Sequence, residues 1–238
     1  MIDAFNTDEH RRQPAASWSD ANSGGTASIA ETRIIDLPEQ QHRTRNTLSV
    51  MRSVFTRTIE IGTSLEEVAA HYQGRFDTLA PFLTGSGMDE HGTYDLEMLV
   101  WGELQRYPVS GGEDVKVSGP SERLPYALAQ PVALALHELA TNTVKFGALD
   151  MPGQGHLAIE WWREDGDLIL RWRETGVPIV RPAPLPFGFG REFIEQGLPY
   201  QIGAETSFAI EAGGVICTVR LPRTSGACMP SAPEGARS

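Results

Sequence analysis

The chain has 238 residues, 40% of them hydrophobic, enough for a folded core in one or two small domains. Its formal net charge of −11 argues against nucleic acid or an anionic membrane surface as the main partner, because both reward clustered Lys and Arg. There is no run of about 18 apolar residues, and the polar stretch 1–12 lacks the apolar stretch of a secretory signal, so a cytoplasmic setting is expected. Cys217 and Cys228 are too few for a disulfide framework and read as reduced, idle thiols.

Residues 1–33 are polar, rich in Ser, Ala, Gly and Asn, and without periodicity, as expected of a mobile leader. Residues 223–238 have the same character and read as a tail. Neither stretch could hold a sensory domain of normal size, so a signal is expected through the leader, the hairpin described next or a separate sensor protein.

Asp36, Pro38 and Glu39 form a helix start, and helical periodicity continues to about residue 61, where Gly62 ends it. His42, Arg45, Asn46, Ser49, Arg52 and Thr56 fall on one polar stripe of this helix. Leu48, Val50, Met51, Val54, Phe55 and Ile59 cover most of the rest, a sector wider than one neighbouring helix needs. That width points to a bundle, and a homodimer is one way to build it. Ser64 and Glu67 open a second helix, with an apolar stripe of Leu65, Val68, Ala69, Tyr72, Phe76, Leu79 and Leu83. Residues 34–90 are therefore predicted to be an antiparallel helical hairpin, closed by Gly85-Ser86-Gly87.

Residues 91–222 mix types. A short linker helix is predicted over 93–106, a strand over 114–118 and a long helix over 125–146. Strands follow at 156–163 and 167–173, joined by the turn Glu164-Asp165-Gly166. A Gly/Pro-rich stretch over 176–190 precedes a short helix over 191–196, and a final hairpin pairs 206–211 with 215–221. The expected fold class is α+β, a helical hairpin followed by a two-layer α/β sandwich.

The segment Leu134-Ala-Leu-His-Glu-Leu-Ala-Thr-Asn-Thr-Val-Lys-Phe-Gly147 carries the clearest chemistry. On a helix, Glu138, Asn142 and Lys145 form one polar stripe, apart from the apolar face of Val132, Leu136, Leu139, Thr143 and Phe146. An acid, an amide oxygen and an ammonium in line suit Mg²⁺ and a triphosphate. The amide oxygen of Asn142 is a hard ligand for the metal, Lys145 neutralises phosphate, and Glu138 orients or polarises the attacking group. Spacing alone favours an ordinary amphipathic helix with a solvated charged face. Two downstream features favour the chemical reading. Leu170-Arg-Trp-Arg-Glu-Thr-Gly-Val-Pro178 sets the Glu174 carboxylate at a strand end beside Gly176, at the expected mouth of the site and able to accept from the adenine amine. Gly188-Phe189-Gly190 then opens a helix whose first amides suit a phosphate.

On these residues the chain resembles the HWE histidine kinases. His137-Glu-Leu-Ala-Thr-Asn142 is similar to the N-box of the GHKL ATPases, and Trp172-Arg-Glu174 to the G1 box of the HWE family. His42-Arg-Thr-Arg-Asn-Thr-Leu48 resembles the family's phosphoacceptor segment, and Gly188-Phe-Gly-Arg-Glu-Phe-Ile-Glu195 and Leu198-Pro-Tyr-Gln201 its C-terminal stretches. The resemblance runs from about residue 37 to residue 222. It implies a Bergerat-type ATP-binding domain, autophosphorylation of His42 from ATP and Mg²⁺, and transfer to an aspartate of a response-regulator receiver domain. Trp172 belongs to the pair that names the family and is expected to pack beneath the adenine pocket. His137, on the helix flank away from the Glu138, Asn142 and Lys145 stripe, is expected to be structural or adjacent to the nucleotide. Two positions depart from the family pattern. Arg45 replaces the usual Lys and keeps its charge, and Val177 replaces the second glycine of the G1 box, where a Cβ is expected to restrict the backbone.

Other histidines fit bland roles: His10 lies in the leader, and His71, His91 and His156 read as surface residues. The competing functional readings are a phosphotransfer protein or scaffold with the same fold and a weakened ATP site, and a serine kinase of GHKL type. The intact Glu138, Asn142, Lys145, Glu174 and Gly176 disfavour the first, and the serine kinase leaves the acceptor helix unexplained.

Overall fold

The computed structural model describes residues 37–61, 64–107, 114–151, 153–177 and 188–223. The leader, the tail, the Asp36 cap and the Gly62-Thr63 junction lie outside them. Helices α1 (Leu37–Ile61) and α2 (Leu65–Thr84) form the hairpin. At the start of α2 the Ser64 side chain accepts a hydrogen bond from Glu67 N at 3.1 Å, satisfying a first-turn amide. The helix ends at Gly85, whose φ of 71° is a left-handed cap that glycine adopts without strain.

All six residues of the predicted polar stripe of α1 are exposed. Its apolar sector divides. Met51 and Val54 are buried, whereas Leu48, Phe55 and Ile59 stay exposed. Phe55 meets Tyr72 edge-on at 4.9 Å and Tyr72 meets Phe76 at 6.3 Å, so an open apolar seam crosses both helices. The predicted inward stripe of α2 is corrected. Its buried residues are Arg75, Thr78, Leu79 and Phe82, while Leu65, Ala69 and Phe76 face out. The cause is a partner distant in sequence, described below, which local periodicity does not encode.

The helix predicted over 93–106 begins as a strand. β1 (Thr93–Asp95) pairs with β3 (Arg123–Pro125) in a small antiparallel sheet, and α3 (Leu96–Leu104) follows, capped by Asp95. The main sheet contains β2 (Val115–Ser118), β4 (His156–Glu164), β5 (Asp167–Thr175), β6 (Glu205–Glu211) and β7 (Gly214–Leu221), in the order β2-β4-β5-β7-β6. β2 runs parallel to β4 and the other pairs are antiparallel. Asp165 and Gly166, with φ of 53° and 91°, make the tight turn between β4 and β5 that the sequence predicts.

Alternate residues of the central strands (Ile159, Trp161, Leu168, Leu170, Trp172, Cys217, Val219) are buried. Helices α4 (Tyr126–Phe146) and α6 (Leu198–Ile202) cover that face, with Val132, Leu136 and Leu198 packed around Trp172 and Val219. A short α5 (Phe189–Glu192) and a π turn over Phe193–Gly197 lead into α6. The two-layer sandwich is as expected. The amphipathic reading of α4 needs correction, because every residue from Leu128 to Ala140 is buried, with the sheet on one side and α2 and α3 on the other. Burial pushes the Cys217 thiol up to about 12, so it stays an unreactive core group. No helix among the described residues is long and apolar enough to cross a membrane.

Candidate functional site

The second half of α4 brings the predicted elements together. Glu138, Asn142 and Lys145 share one flank, and the segment Gly188–Gly190 comes against it. A Cβ on Gly190 would approach the Glu138 side chain to 2.8 Å, so a glycine is needed where α5 starts. The end of β5 arrives from the sheet side, and Gly176 there has a φ of 76° and no room for a Cβ beside Gln154 O.

Glu174 is placed differently from its predicted position at the mouth of the site. It is buried, and its carboxylate accepts hydrogen bonds from Thr143 Oγ1 at 2.6 Å, Ala148 N at 2.9 Å and Trp172 Nε1 at 3.2 Å. The acid thus ties the end of α4 to β5, and Trp172 fills the core beneath it. Val177 is accommodated without strain. Among the described residues Asp165 is the one non-glycine with positive φ, and Val177 is buried with its amide donating to Gly213 O at 3.1 Å. The restriction expected from its Cβ does not arise from backbone conformation.

His137 points away from the polar flank. It is buried with Nδ1 3.0 Å from Glu103 Oε2 of α3, and a Cβ on Gly74 of α2 would lie 2.9 Å from its ring. Helix α2 runs antiparallel along α4 from this point. Phe82 packs on Tyr126 near the start of α4, and His71 reaches Lys145 at its end.

Two residues of α2 that sequence reasoning leaves out therefore belong to the site. The Arg75 side chain is 5% exposed and donates to both oxygens of Glu138, Nε to Oε1 at 2.6 Å and Nη2 to Oε2 at 3.1 Å. Its Nη1 donates to Thr58 Oγ1 at 2.6 Å, and its guanidinium lies 4.0 Å from the ring centre of Phe189. Lys145 Nζ donates to His71 Nε2 at 3.0 Å. Burial first, then the charges of Lys145 and Arg75, hold the His71 pKa below its ordinary value, so the imidazole is the neutral acceptor. The only signal for this pair is local: His71 and Arg75 stand one helical turn apart. Asn142, between Glu138 and Lys145, is half-buried, and its side chain makes no hydrogen bond to another described residue.

His42 is exposed on α1, with Asn46 Nδ2 3.0 Å from its Nε2. The neighbouring Arg43 carbonyl accepts from Tyr126 Oη at 3.1 Å, and Thr47 meets the same hydroxyl at 2.5 Å. His42 is thus level with the start of α4. Asn142 lies 16 residues further along that helix, roughly 24 Å at about 1.5 Å per residue.

The residues fit a magnesium nucleotide as its own carrier of ligands. Glu138 and Asn142 supply two hard oxygens on one flank, and no group of three His, Cys, Asp or Glu among the described residues could hold a metal. A cation here would draw its other ligands from phosphate and water, as Mg²⁺ prefers. Cavity shape does not locate the site. A shallow hollow of about 390 Å³ lies on the outer face of the sheet, at Glu160, Trp162 and Arg171.

The chain is similar to known histidine kinases in sequence and in fold. The family model of HWE histidine kinase matches residues 39–121. Blue-light-activated histidine kinase 1 of Erythrobacter litoralis is 37% identical over 153 residues, covering 63% of this chain and 42% of that protein. A blue-light-activated histidine kinase of Rhizobium johnstonii is 29% identical over 194 residues, covering 81% of this chain and 54% of its own length. The chain thus spans about half the length of the curated relatives it matches. In fold it is similar to the histidine kinase domain of the Erythrobacter litoralis EL346 blue-light-activated histidine kinase. That match has a TM-score of 0.53 at 18% identity and covers 79% of this chain and 90% of that domain.

Proposed function

From its similarity to the HWE histidine kinases, we propose that this chain uses Mg-ATP to phosphorylate its own His42 and passes the phosphoryl group to an aspartate of a response-regulator receiver domain. One observation carries the reading. A helix bearing Glu138, Asn142 and Lys145 faces the Gly188–Gly190 turn in a two-layer sandwich, and that sandwich is joined to a hairpin with an exposed histidine.

Asn142 offers its amide oxygen to Mg²⁺, Lys145 neutralises phosphate charge, and Glu138 orients the attacking imidazole. Gly176, Gly188 and Gly190 let backbone approach the nucleotide. Trp172, Glu174 and His137 hold the walls from behind. When bound, Mg²⁺ would spread the charge that develops on the phosphates. An imidazole nitrogen of His42 forms the bond to phosphorus, the bond to the bridging oxygen of ADP breaks, and the imidazole proton passes to water. The exposed seam of Leu48, Phe55, Ile59, Leu65 and Phe76 supports a partner on the hairpin, either a second copy or a receiver domain. A cytoplasmic setting completes the proposal.

A second reading, a phosphotransfer or scaffold protein with a weakened ATP site, draws on the engagement of Glu138 by Arg75. Incubation with γ-labelled ATP and Mg²⁺ separates the two. Label stable in alkali, lost in acid and absent from His42→Ala supports the kinase. Label that appears only from a phosphorylated receiver domain supports phosphotransfer.

A further inference from the structure

Helix α2 carries His71 and Arg75 at i and i+4, and α4 carries Glu138 and Lys145 on its polar flank. The two helices meet so that each α2 residue takes one partner: Arg75 takes both oxygens of Glu138, and His71 takes the ammonium of Lys145. Arg75 also reaches the segment that opens α5, through the ring of Phe189, and Arg57 of α1 donates to Glu192 of the same short helix, Nε at 3.0 Å. The two charged groups on the polar flank of α4, Glu138 and Lys145, are thus both occupied by the hairpin. Asn142, which carries none, is left over.

A bidentate pair buried this deeply is not needed for stability, because apolar residues of similar volume hold helices together at least as well. A pair shared between two separable elements has a different property. When the elements part, both ions return to water and neither is stranded. Hairpin docking also keeps His42 level with Tyr126, so the docked arrangement excludes direct transfer within one chain.

We infer that Arg75 is an autoinhibitory latch: it holds the hairpin over the nucleotide face by occupying Glu138 and Phe189, so that hairpin docking and nucleotide binding exclude each other. This rests on the reading of Glu138, Asn142 and Lys145 as the nucleotide face. A site that binds only when undocked has its apparent affinity reduced by the undocked fraction. Removing the latch therefore tightens nucleotide binding, and nucleotide in turn releases α2.

The test titrates the full chain and Arg75→Gln with a fluorescent, non-hydrolysable ATP analogue and Mg²⁺, with thermal melts to check folding. Hydrogen exchange of α2 amides is measured in the wild type with and without the analogue. The latch predicts binding about tenfold tighter in Arg75→Gln and faster exchange across α2 in the wild type once nucleotide is bound. Arg57→Gln, which loses a more exposed pair, gains less. Equal affinities with unchanged α2 exchange overturn the latch and leave the kinase reading standing. If Arg75→Gln does not fold, wild-type exchange decides alone: faster exchange supports the latch, and unchanged exchange overturns it. Absence of binding by both folded proteins at millimolar analogue overturns the nucleotide site itself, and the latch with it.

Discussion

Glu138 and Glu174 are equally buried, each 4% exposed, and they are held in opposite ways. Glu174 is served from within the sandwich, by Thr143 and the Ala148 amide at the end of α4 and by Trp172 on its own strand. Glu138 is served by a guanidinium from the hairpin, 63 positions away in sequence. Local neutral donors cannot leave without opening the corner they form. On the latch proposal, a cation on a helix that undocks can. The contrast teaches that burial alone does not distinguish a structural acid from a working one; the origin of its donors does.

The largest expected effect follows from that contrast. Glu174→Ala strands the Ala148 amide and the Trp172 indole N–H in the core, while the Thr143 hydroxyl keeps the Leu139 carbonyl; at about 1–3 kcal/mol for each stranded group, a loss of about 3 kcal/mol is expected. Glu138→Ala leaves Arg75 without its partner, which for a fixed buried cation would cost about as much. Here the cost is capped by undocking of α2, and about 1–2 kcal/mol is expected. Urea midpoints followed by tryptophan fluorescence measure both. The contrast breaks if Glu138→Ala proves as damaging as Glu174→Ala in one cooperative transition.

Asn142→Ala sharpens it further. Asn142 lies one turn beyond Glu138, half-buried and without a side-chain hydrogen bond to another described residue, so its loss leaves the stability within about 0.5 kcal/mol of wild type. Autophosphorylation falls at least tenfold, about 1.4 kcal/mol of transition-state stabilisation. Unchanged labelling in a radiometric assay would reduce Asn142 to an ordinary surface amide.

What the sequence makes legible is what local periodicity and spacing encode. The stripe of Glu138, Asn142 and Lys145, the exposed setting of His42, the Ser64 cap and the tight turn at Asp165-Gly166 all follow from residues a few positions apart. Strands β1 and β3 are three residues each, too short to show a period, so Thr93–Asp95 is absorbed into a helix prediction. The burial of Glu174 depends on Thr143 and Ala148, and that of Arg75 on Glu138, all of which come from other elements. An isolated α2 sequence offers Leu65, Ala69 and Phe76 as the natural inner face. Docking against α4 reverses that choice and buries an arginine instead. Val177 misleads for a related reason: the family resemblance leads one to expect a glycine there, and the ordinary backbone at that position tolerates a side chain.

The smallest expected effect concerns His71, which the sequence presents as a surface histidine. It is half-buried and accepts from Lys145, with Arg75 and Glu138 facing it from α2 and α4 and Glu67 one turn back on its own helix. Burial and the two cations lower its pKa in the docked state. The neutral form is therefore the one that docking favours. Its contribution to docking is full above the ordinary histidine value of about 6.5 and is lost as pH falls from there through the lowered value. Acidification should loosen α2 and, through the latch, raise nucleotide affinity. The contact is partly exposed, so a change of only about two- to threefold is expected between pH 7 and pH 5.5. The nucleotide phosphates titrate in the same range, so labelling rates are the wrong readout. The ratio of nucleotide affinities of wild type and His71→Gln isolates the effect, because glutamine keeps an oxygen for Lys145 and does not titrate. A ratio that rises toward acid assigns the pH dependence to His71. A flat ratio would leave Arg75 as the whole of the contact that holds the hairpin on the nucleotide face.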